Sequence, residues 1–575
     1  MSVANDTIRN SSPKRKGGLS PQLIVYLSLL PVFFVFLGYV VFPLYTTFLQ
    51  SVKIEGAYNI QNYVKFFTSP ANTESLFNSL RISILSVITC GLVGCSLAFL
   101  LERFEFPGRR ILKVCAIVPM ALPALIGAIS FNFLYGESGV VPRLLRDIFQ
   151  LAKVPFYVKG MTGVLIVHTF TMYTYFYLTV SASLRTFDYS LEEAAYGLGG
   201  NKFYVFRKVI IPMLTPSLVA SSLLVFMMSM ASYTAPLIYG IDRTLTMQIY
   251  LSRTNGNLDM AATQSTILSM VSILFLILMR LYESRRSYYS VGKGVSASRI
   301  EAKGKTVKVL TVIGSFFLVA VLLLPILVII LTSFSVDGSW TVQTLPPKYT
   351  IEHYITLFTD SKTWRPIGNS LVMSGLAISM NVIFGVAVAY IMNRRSFKGK
   401  MLTDVLIMIP WTLPGTVVAL NLITAFNKTS IFSFGQILVG TFWIMPLAYF
   451  VRHLPLVYRS VSASFSQTDV SAEEAARSLG GSWWYSMRRV VLPMAFGGIM
   501  SGMLLGFVQG LGEFVASILI YTPSTIPISV AIYQKMYSFK FGTACAYGVL
   551  QIVLLFIVLL FNEWINGSKN STVVI

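Results

Sequence analysis

The sequence predicts an all-α polytopic membrane protein in which about twelve transmembrane helices form two homologous six-helix halves. Three observations support this prediction: few charged residues, many long charge-free windows, and motifs repeated between the halves. Of the 575 residues, 55% are hydrophobic and only 12% are charged. Soluble globular proteins carry about 25% charged residues, so a soluble, disordered or fibrous chain is excluded.

The predicted helices are the charge-free windows. About 20 apolar residues at about 1.5 Å each cross a hydrocarbon core of about 30 Å. Windows of this length are too long for barrel strands, so each is expected to be helical. Thirteen windows of 20 or more residues lack Asp, Glu, Lys and Arg: 17–52, 82–101, 114–136, 160–184, 209–241, 260–279, 309–336, 366–393, 405–427, 429–451, 490–512, 514–534 and 541–562.

One of these windows cannot be a single helix. Pro523 and Pro527 interrupt the window 514–534, and a proline inside a helix removes a backbone hydrogen bond. We therefore expect one span at about 494–521, which carries Glu513, and twelve spans in total. With an even number of spans and a basic N-terminal tail, both termini are expected to be cytoplasmic.

The net charge of +22 would also fit a nucleic-acid-binding protein. However, Lys and Arg collect in the cytoplasmic loops of membrane proteins, and the predicted topology places most of them there. The charge is therefore explained by topology. We expect a lipid bilayer around the chain and no nucleic-acid partner.

The chain is expected to divide into two halves joined by a basic linker with several Gly and Ser residues. The predicted segments are a cytoplasmic N-terminal tail (1–20), the first half (21–281) with a loop at 185–212, a cytoplasmic linker (282–308), the second half (309–565) with a loop at 466–493, and a cytoplasmic C-terminal tail (566–575).

Motifs recur between the halves at nearly constant offsets. The repeated pairs are Asn78-Ser79-Leu80 with Asn369-Ser370-Leu371, Pro119 and Pro123 with Pro410 and Pro414, and residues 188–212 with 469–493, where 13 of 25 positions are identical. A repeat of the same sense predicts halves related by an axis along the membrane normal, with the pathway at their interface.

The repeat with the most identical residues between the halves is the loop after the fourth span of each half. In chain order it contains Ser190, Glu193, Gly199, Gly200 and Asn201 in the first half, and Ser471, Glu474, Gly480, Gly481 and Ser482 in the second. The Ser-x-x-Glu spacing predicts a capping box, and the glycine pair predicts the end of a short helix. The Asn or Ser that follows can cap a second helix.

Each loop resembles the Glu-Ala-Ala loop of ATP-binding-cassette importer permeases. The matching residues are Glu193-Ala194-Ala195, Gly199, Val209 and Pro212 in the first half, and Glu474-Ala475-Ala476, Gly480, Val490 and Pro493 in the second. The two valines stand where the family usually has Ile. The resemblance covers residues 20–565, and the fusion of both halves is most like the ferric-iron transport permeases.

The resemblance implies that the loops dock onto two cytoplasmic ATPase subunits, a homodimer, and that an extracytoplasmic binding protein delivers the solute. The docking residues would be Glu192, Glu193, Ala194, Ala195, Gly199, Glu473, Glu474, Ala475, Ala476 and Gly480. ATP and Mg would be bound by the ATPase subunits, so we expect no cofactor and no catalytic residue in this chain. Its expected location is the bacterial inner membrane.

The pathway is expected to involve Glu513 and, at the equivalent position of the first half, Ser232 with Tyr233 and Pro236. An ionised side chain inside a span costs about 2.5–3.5 kcal/mol, so Glu513 should face the bundle interior or a wet cavity. A structural role and a role in substrate passage or gating both remain open for it.

No metal site is expected. His168 is predicted in the fourth span, His353 in an outer loop and His453 at the inner end of the tenth span. None has Cys or carboxylate companions at the spacing of metal ligands.

The favoured substrate is ferric iron, because of the resemblance to fused ferric-iron permeases. Residues 232–236 also resemble polyamine and aminoethylphosphonate permeases, and residues 511–514 resemble oxyanion and iron importers alike. Thiamine is a further alternative. A different class, an ion-coupled secondary transporter, would be expected to place more ionisable residues in its spans than Glu513 and His168.

Overall fold

A computed structural model describes residues 21–54, 56–185, 187–285, 300–301, 305–340 and 343–567. The terminal tails 1–20 and 568–575 and most of the predicted linker, 286–299 and 302–304, lie outside the described residues. The described chain is mostly helical and has only four two-residue strands, so the predicted all-α polytopic fold is confirmed.

The first half begins with a long interrupted helix and ends at Arg285. Its helices are α1 (Pro21–Phe36), α2 (Phe42–Ser51), α3 (Gln61–Thr68), α4 (Pro70–Arg103), α5 (Arg109–Cys115), α6 (Ala124–Tyr135), α7 (Val140–Ile148), α8 (Gly160–Arg185), α9 (Ser190–Gly197), α10 (Lys202–Val205), α11 (Ile211–Met230), α12 (Thr234–Ile238), α13 (Leu245–Thr254) and α14 (Leu258–Arg285).

The second half repeats this order. Its helices are α15 (Lys305–Ser333), α16 (Glu352–Thr359), α17 (Ser361–Arg394), α18 (Lys400–Thr412), α19 (Gly415–Phe426), α20 (Ile444–Gln467), α21 (Val470–Ser478), α22 (Trp483–Ser486), α23 (Leu492–Leu511), α24 (Ser517–Ile520), α25 (Ile528–Tyr537) and α26 (Phe541–Gly567).

Short turns and strands complete the described chain. The π-helical turns are Leu37–Val41, Phe206–Ile210 and Met487–Val491, and the 3₁₀ turns are Val118–Ala121 and Ile431–Ser433. Strands β1 (Lys53–Ile54) and β2 (Ala57–Tyr58) pair antiparallel, with Lys53 opposite Tyr58. Strands β3 (Phe104–Glu105) and β4 (Ile300–Glu301) pair parallel.

Among the described residues, ten helical segments are long and apolar enough to cross a membrane, or eleven when α18 and α19 are taken as one bent span. The sequence predicted twelve because it took 429–451 as a span, and this placement is wrong. The helix here, α20, begins only at Ile444. By chain order it is the counterpart of α8, but Arg452 and Arg459 lie within it.

The helices of the two halves pack in the same pattern, and each half contributes one helix that packs against the other half. In the first half α4 packs against α8 and α11, and in the second α17 packs against α20 and α23. The opening helix of each half lies against the other half, α2 on α19 and α15 on α6. This exchange makes the interface between the halves extensive.

The third span of each half is broken just before the second of its repeated prolines, whereas the first one, Pro410 in the second half, lies inside α18. In the second half α18 and α19 meet at 103° around Leu413-Pro414. In the first half a 3₁₀ turn containing Pro119 separates α5 from α6, which begins after Pro123. Proline interrupts a helix because it lacks the N–H that an interior position needs.

The repeated Asn-Ser motif ties the loop before α13 or α25 to the long second span of the same half. The Ser79 hydroxyl accepts from the backbone N–H of Leu245 (2.9 Å), and Ser370 accepts from Ile528 (2.8 Å). The neighbouring amide of Asn369 donates to the carbonyl of Ile526 (3.0 Å). The motif therefore recurs because it anchors the start of α13 and of α25.

Candidate functional site

The loop helices α9 and α21 begin differently from the prediction. The expected capping boxes of Ser190 with Glu193 and Ser471 with Glu474 are wrong. Instead, the Asp469 carboxylate accepts from the backbone N–H of Ser471 (2.9 Å), and Asp188 accepts from Ser190 (3.0 Å). Asp caps an orphan helix N–H as well as Ser does. Hydrogen bonds from Ser471 hold the pKa of the Asp469 carboxyl below its ordinary value.

The ends of these helices match the prediction. Gly199 and Gly480 take φ of +85° and +86°, and each follows the last helical turn. The next glycine donates back to the third-last helical residue, Gly200 to Ala195 and Gly481 to Ala476, both at 3.0 Å. This is a Schellman ending, which needs a left-handed residue and so favours glycine.

The second short helix of each loop is also capped as predicted. The Asn201 side chain accepts from the N–H of Tyr204 (2.8 Å), and Ser482 accepts from Tyr485 (3.2 Å). Each helix then continues through a π-helical turn into the next span. We call residues 188–205 and 469–486 the two coupling knobs.

Replacing Gly199 and Gly480 together by Ala is expected to weaken both knobs, since a left-handed L-residue costs about 1–2 kcal/mol. Faster amide hydrogen exchange across α9 and α21 would show the loss. Gly197→Ala is the control, because Gly197 ends α9 with nothing within 4 Å of the added methyl group. Equal effects at positions 197 and 199 would contradict this account.

In each pair of acidic residues, the first one holds the knob to the bundle. Glu192 is buried and receives a hydrogen bond from Arg103 at the end of α4. Glu473 is also buried; the Tyr390 hydroxyl donates to it (2.7 Å), and the Arg394 Nε lies 3.7 Å from its other oxygen. Arg103 and Arg394 end the equivalent helices α4 and α17, so both halves use the same anchor.

The second acidic residue of each pair faces outward. Glu193 and Glu474 are exposed, as are Ala194 and Ala475, while Ala195 and Ala476 are half-buried. The tip of each knob carries an apolar side chain, Leu198 or Leu479, which is 90% exposed. The predicted docking residues therefore divide into two buried anchors, Glu192 and Glu473, and a set that includes the exposed carboxylates Glu193 and Glu474. The exposed leucines are not among the predicted docking residues.

The structure places Glu513 just beyond a helix. Helix α23 ends at Leu511, so the predicted span 494–521 is wrong, and Glu513 lies in the turn before α24. The carboxylate is buried, accepts from the N–H of Ala516 (2.9 Å) and lies 2.8 Å from Nε of Arg452. The charge inside the bundle is therefore paired, as burial requires.

At the equivalent position of the first half, Ser232 and His168 form a hydrogen-bonded group with no ion pair to any described residue. The Ser232 hydroxyl is hydrogen-bonded to Nε2 of His168 (2.8 Å), and the other ring nitrogen of His168 is bonded to Ser86 (2.9 Å). Tyr233 is fully buried and packs against Phe514 of the second half, with ring centroids 6.1 Å apart.

One of the four predicted pathway residues, Tyr233, contacts the other half directly. Tyr233 touches the residue after Glu513, so the two turns lie side by side. Pro236 is buried in α12, the short helix that follows the turn containing Ser232. Sequence reasoning missed Arg452; its only signal is a lone Arg at the edge of a charge-free window.

Within the described residues, no group of three or more His, Cys, Asp or Glu side chains is placed to share a metal ion. His353, in α16, contacts the Ser335 carbonyl (2.8 Å). His453 lies within α20, not at its inner end as predicted, and its Nε2 is 3.8 Å from Glu513.

The profile of a protein family matches the chain twice. It is described as "Binding-protein-dependent transport system inner membrane component" and matches residues 91–288 and 381–570. The chain belongs to this family. It is therefore a multi-pass permease of an inner-membrane ABC import system, with two permease units fused, and it is a transport subunit and not an enzyme.

The permease is similar to curated proteins over most of its length. A probable ABC transporter permease of Sinorhizobium fredii is 28% identical over 80% of this chain and 81% of its own. A ferric transport system permease protein of Actinobacillus pleuropneumoniae is 26% identical over 94% of this chain and 78% of its own. A putative 2-aminoethylphosphonate transport system permease protein of Salmonella typhimurium is 27% identical over 39% of this chain and 81% of its own.

Proposed function

We propose that this permease forms the translocation pathway for ferric iron in an ATP-driven importer. The observation that carries the substrate assignment is the similarity to a ferric permease across 94% of the chain, with both halves fused. The aminoethylphosphonate relative covers only 39% of the chain. Aminoethylphosphonate, polyamine, thiamine and oxyanion cargoes remain the alternatives that the experiment below has to exclude.

The coupling knobs are the proposed docking sites for two ATPase subunits in the cytoplasm. Their main-chain hydrogen bonds agree to within about 0.1 Å at the glycine ends, and each offers the same exposed carboxylate and leucine. Two nearly identical surfaces suit two copies of one ATPase, because a symmetric partner needs matching sites. Cytoplasmic termini belong to the same proposal, since among the described residues four candidate spans precede the first knob and two follow the second.

The pathway is proposed to run between the halves, past Ser232, Tyr233 and Pro236 on one side and Glu513 on the other. Support comes from the packing of Tyr233 against Phe514 and from the rule that repeats related by an axis along the normal place their site at the shared interface. An extracytoplasmic binding protein would deliver the ion to the outer loops that begin α13 and α25.

The test is uptake of radiolabelled ferric iron by proteoliposomes that contain the permease, its ATPase and its binding protein. We expect uptake only with internal ATP and with the binding protein outside. Unlabelled aminoethylphosphonate, thiamine, polyamine and molybdate should not compete. Competition by one of them would replace the iron assignment, and uptake driven by a proton or sodium gradient without ATP would overturn the importer mechanism.

A further inference from the structure

A second polar group lies beside Glu513 without a partner of its own. The His453 side chain is 4% exposed, and neither of its ring nitrogens has a hydrogen-bond partner among the described residues. Its Nε2 lies 3.8 Å from the Glu513 carboxylate, which is too long for a hydrogen bond. Because an unsatisfied buried polar group costs about 1–3 kcal/mol, this arrangement indicates a place for a ligand.

Arg452 forms an ion pair with the Glu513 carboxylate. Its Nε lies 2.8 Å from Glu513, while its NH1 has no hydrogen-bond partner among the described residues. The guanidinium is packed against Gly415, directly after the 103° bend between α18 and α19, and a Cβ added at Gly415 would overlap its NH1. Arg452 is thus a resident cation held at the bend by one strong contact.

Tyr449 places a phenol next to this group and is linked to the Glu513 backbone through Ser517. It lies one turn before His453 on α20, with ring centroids 6.5 Å apart. Its hydroxyl is bonded to the Ser517 hydroxyl (2.7 Å), which donates to the Glu513 carbonyl (2.6 Å). Carboxylate, imidazole and phenol are donors that bind iron in proteins.

The equivalent place in the first half has no such donor set. There Ser232 takes the position of Glu513, and both ring nitrogens of His168 are hydrogen-bonded to serine hydroxyls. A single cation moving between the halves would therefore meet one charged position and one neutral position.

We propose that Glu513, His453 and Tyr449 form a transit subsite for the ferric ion, at which the ion displaces Arg452 from the Glu513 carboxylate. The inference rests on the proposed function of iron import. A pathway site must bind weakly enough to release its ion. Three protein donors and a neighbouring cation that competes for the carboxylate satisfy that requirement. When the ion leaves, Arg452 returns to Glu513.

The decisive comparison uses a neutral pair. Glu513→Gln together with Arg452→Gln removes both charges, so no buried charge is left unpaired and the bundle should fold. If the pair only stabilises the fold, this double variant transports iron normally. The subsite predicts instead that uptake falls by about tenfold or more, with ATP hydrolysis and complex assembly retained.

The matched control is a second ion pair between helices. Arg280 and Asp404 lie 3.1 Å apart, with side chains 20% and 24% exposed, so Arg280→Gln with Asp404→Asn tests the loss of a less buried ion pair away from the pathway. The other cation at Asp404, Arg459 at 3.4 Å, is 45% exposed and stays in contact with solvent. Uptake by this variant should stay close to that of the unmodified chain. A double variant at 452 and 513 that transports as well as this control overturns the subsite and leaves the importer assignment intact.

A gain of iron binding distinguishes an iron subsite from an ion pair that only opens and closes the pathway. Arg452→Gln alone leaves the carboxylate free, and the purified complex with ferric nitrilotriacetate should then retain more iron than the unmodified complex. A phenolate-to-iron absorption band should appear and should vanish when Tyr449→Phe is added. No extra iron in Arg452→Gln, or a band that survives Tyr449→Phe, overturns the proposal. A failure of the unmodified chain to import iron would instead reject the proposed function.

Discussion

Replacing Glu193 and Glu474 together by Lys is expected to abolish transport without unfolding the permease. Both carboxylates are exposed at equivalent positions of the coupling knobs. Reversing them in both knobs turns any attraction to basic residues of the ATPase into repulsion, and like charges in an interface cost several kcal/mol. Co-purification of the ATPase should be lost, and with it iron uptake in proteoliposomes.

The matched control reverses an exposed carboxylate elsewhere. Glu352→Lys changes the same charge on α16, away from the knobs, and should leave ATPase binding unchanged. The melting temperature of the double variant in detergent should equal that of the unmodified permease. If the ATPase still co-purifies with Glu193→Lys and Glu474→Lys, the knobs are not its docking sites.

The knobs could be predicted from sequence because their signals are local. Each glycine ending and each Asn or Ser cap involves residues within six positions of one another. The anchoring of Glu192 could not be predicted this way. Its partner Arg103 lies 89 residues earlier in the chain, and the pair Glu-Glu does not reveal which carboxylate turns inward.

Charge-free windows predicted the wrong helix bounds where charged side chains form ion pairs inside the bundle. Arg452 ended the window 429–451, so the sequence indicated a span before it. The helix instead begins at Ile444 and continues through Arg452, because Glu513, from a distant turn, neutralises the guanidinium. Hydropathy counts each charge as unpaired, whereas a paired charge is far less costly in the interior.

A single helix joins one knob to the polar group at the interface. Helix α20 carries Arg452, ends at Gln467, and is followed directly by α21 of the knob. Fifteen residues at about 1.5 Å each separate Arg452 from that end by about 22 Å. Displacement of the knob by an ATPase would therefore reach the Arg452–Glu513 contact through one continuous helix, which contains Pro455.

The largest expected effect on stability is at Glu102, near the end of α4. Its side chain is 3% exposed and lies 3.1 Å from Arg109, 2.6 Å from Lys113 and 2.9 Å from Arg185. Glu102→Ala would leave three cations without this carboxylate, and removing one partner of a buried ion pair costs about 3–5 kcal/mol. We expect a large fall in the melting temperature of the purified permease and in its yield from membranes.

Two further variants test whether the buried charge is the cause. Glu105 pairs with the same Arg109 (3.6 Å) but is 48% exposed, so Glu105→Gln should cost no more than about 1 kcal/mol. The second half has Asn393 and Asp404 at the positions of Glu102 and Lys113. Glu102→Asn with Lys113→Asp should therefore be more stable than Glu102→Asn alone, since an anion again faces Arg109 and Arg185. Equal instability of the two would show that shape, and not charge, makes Glu102 necessary.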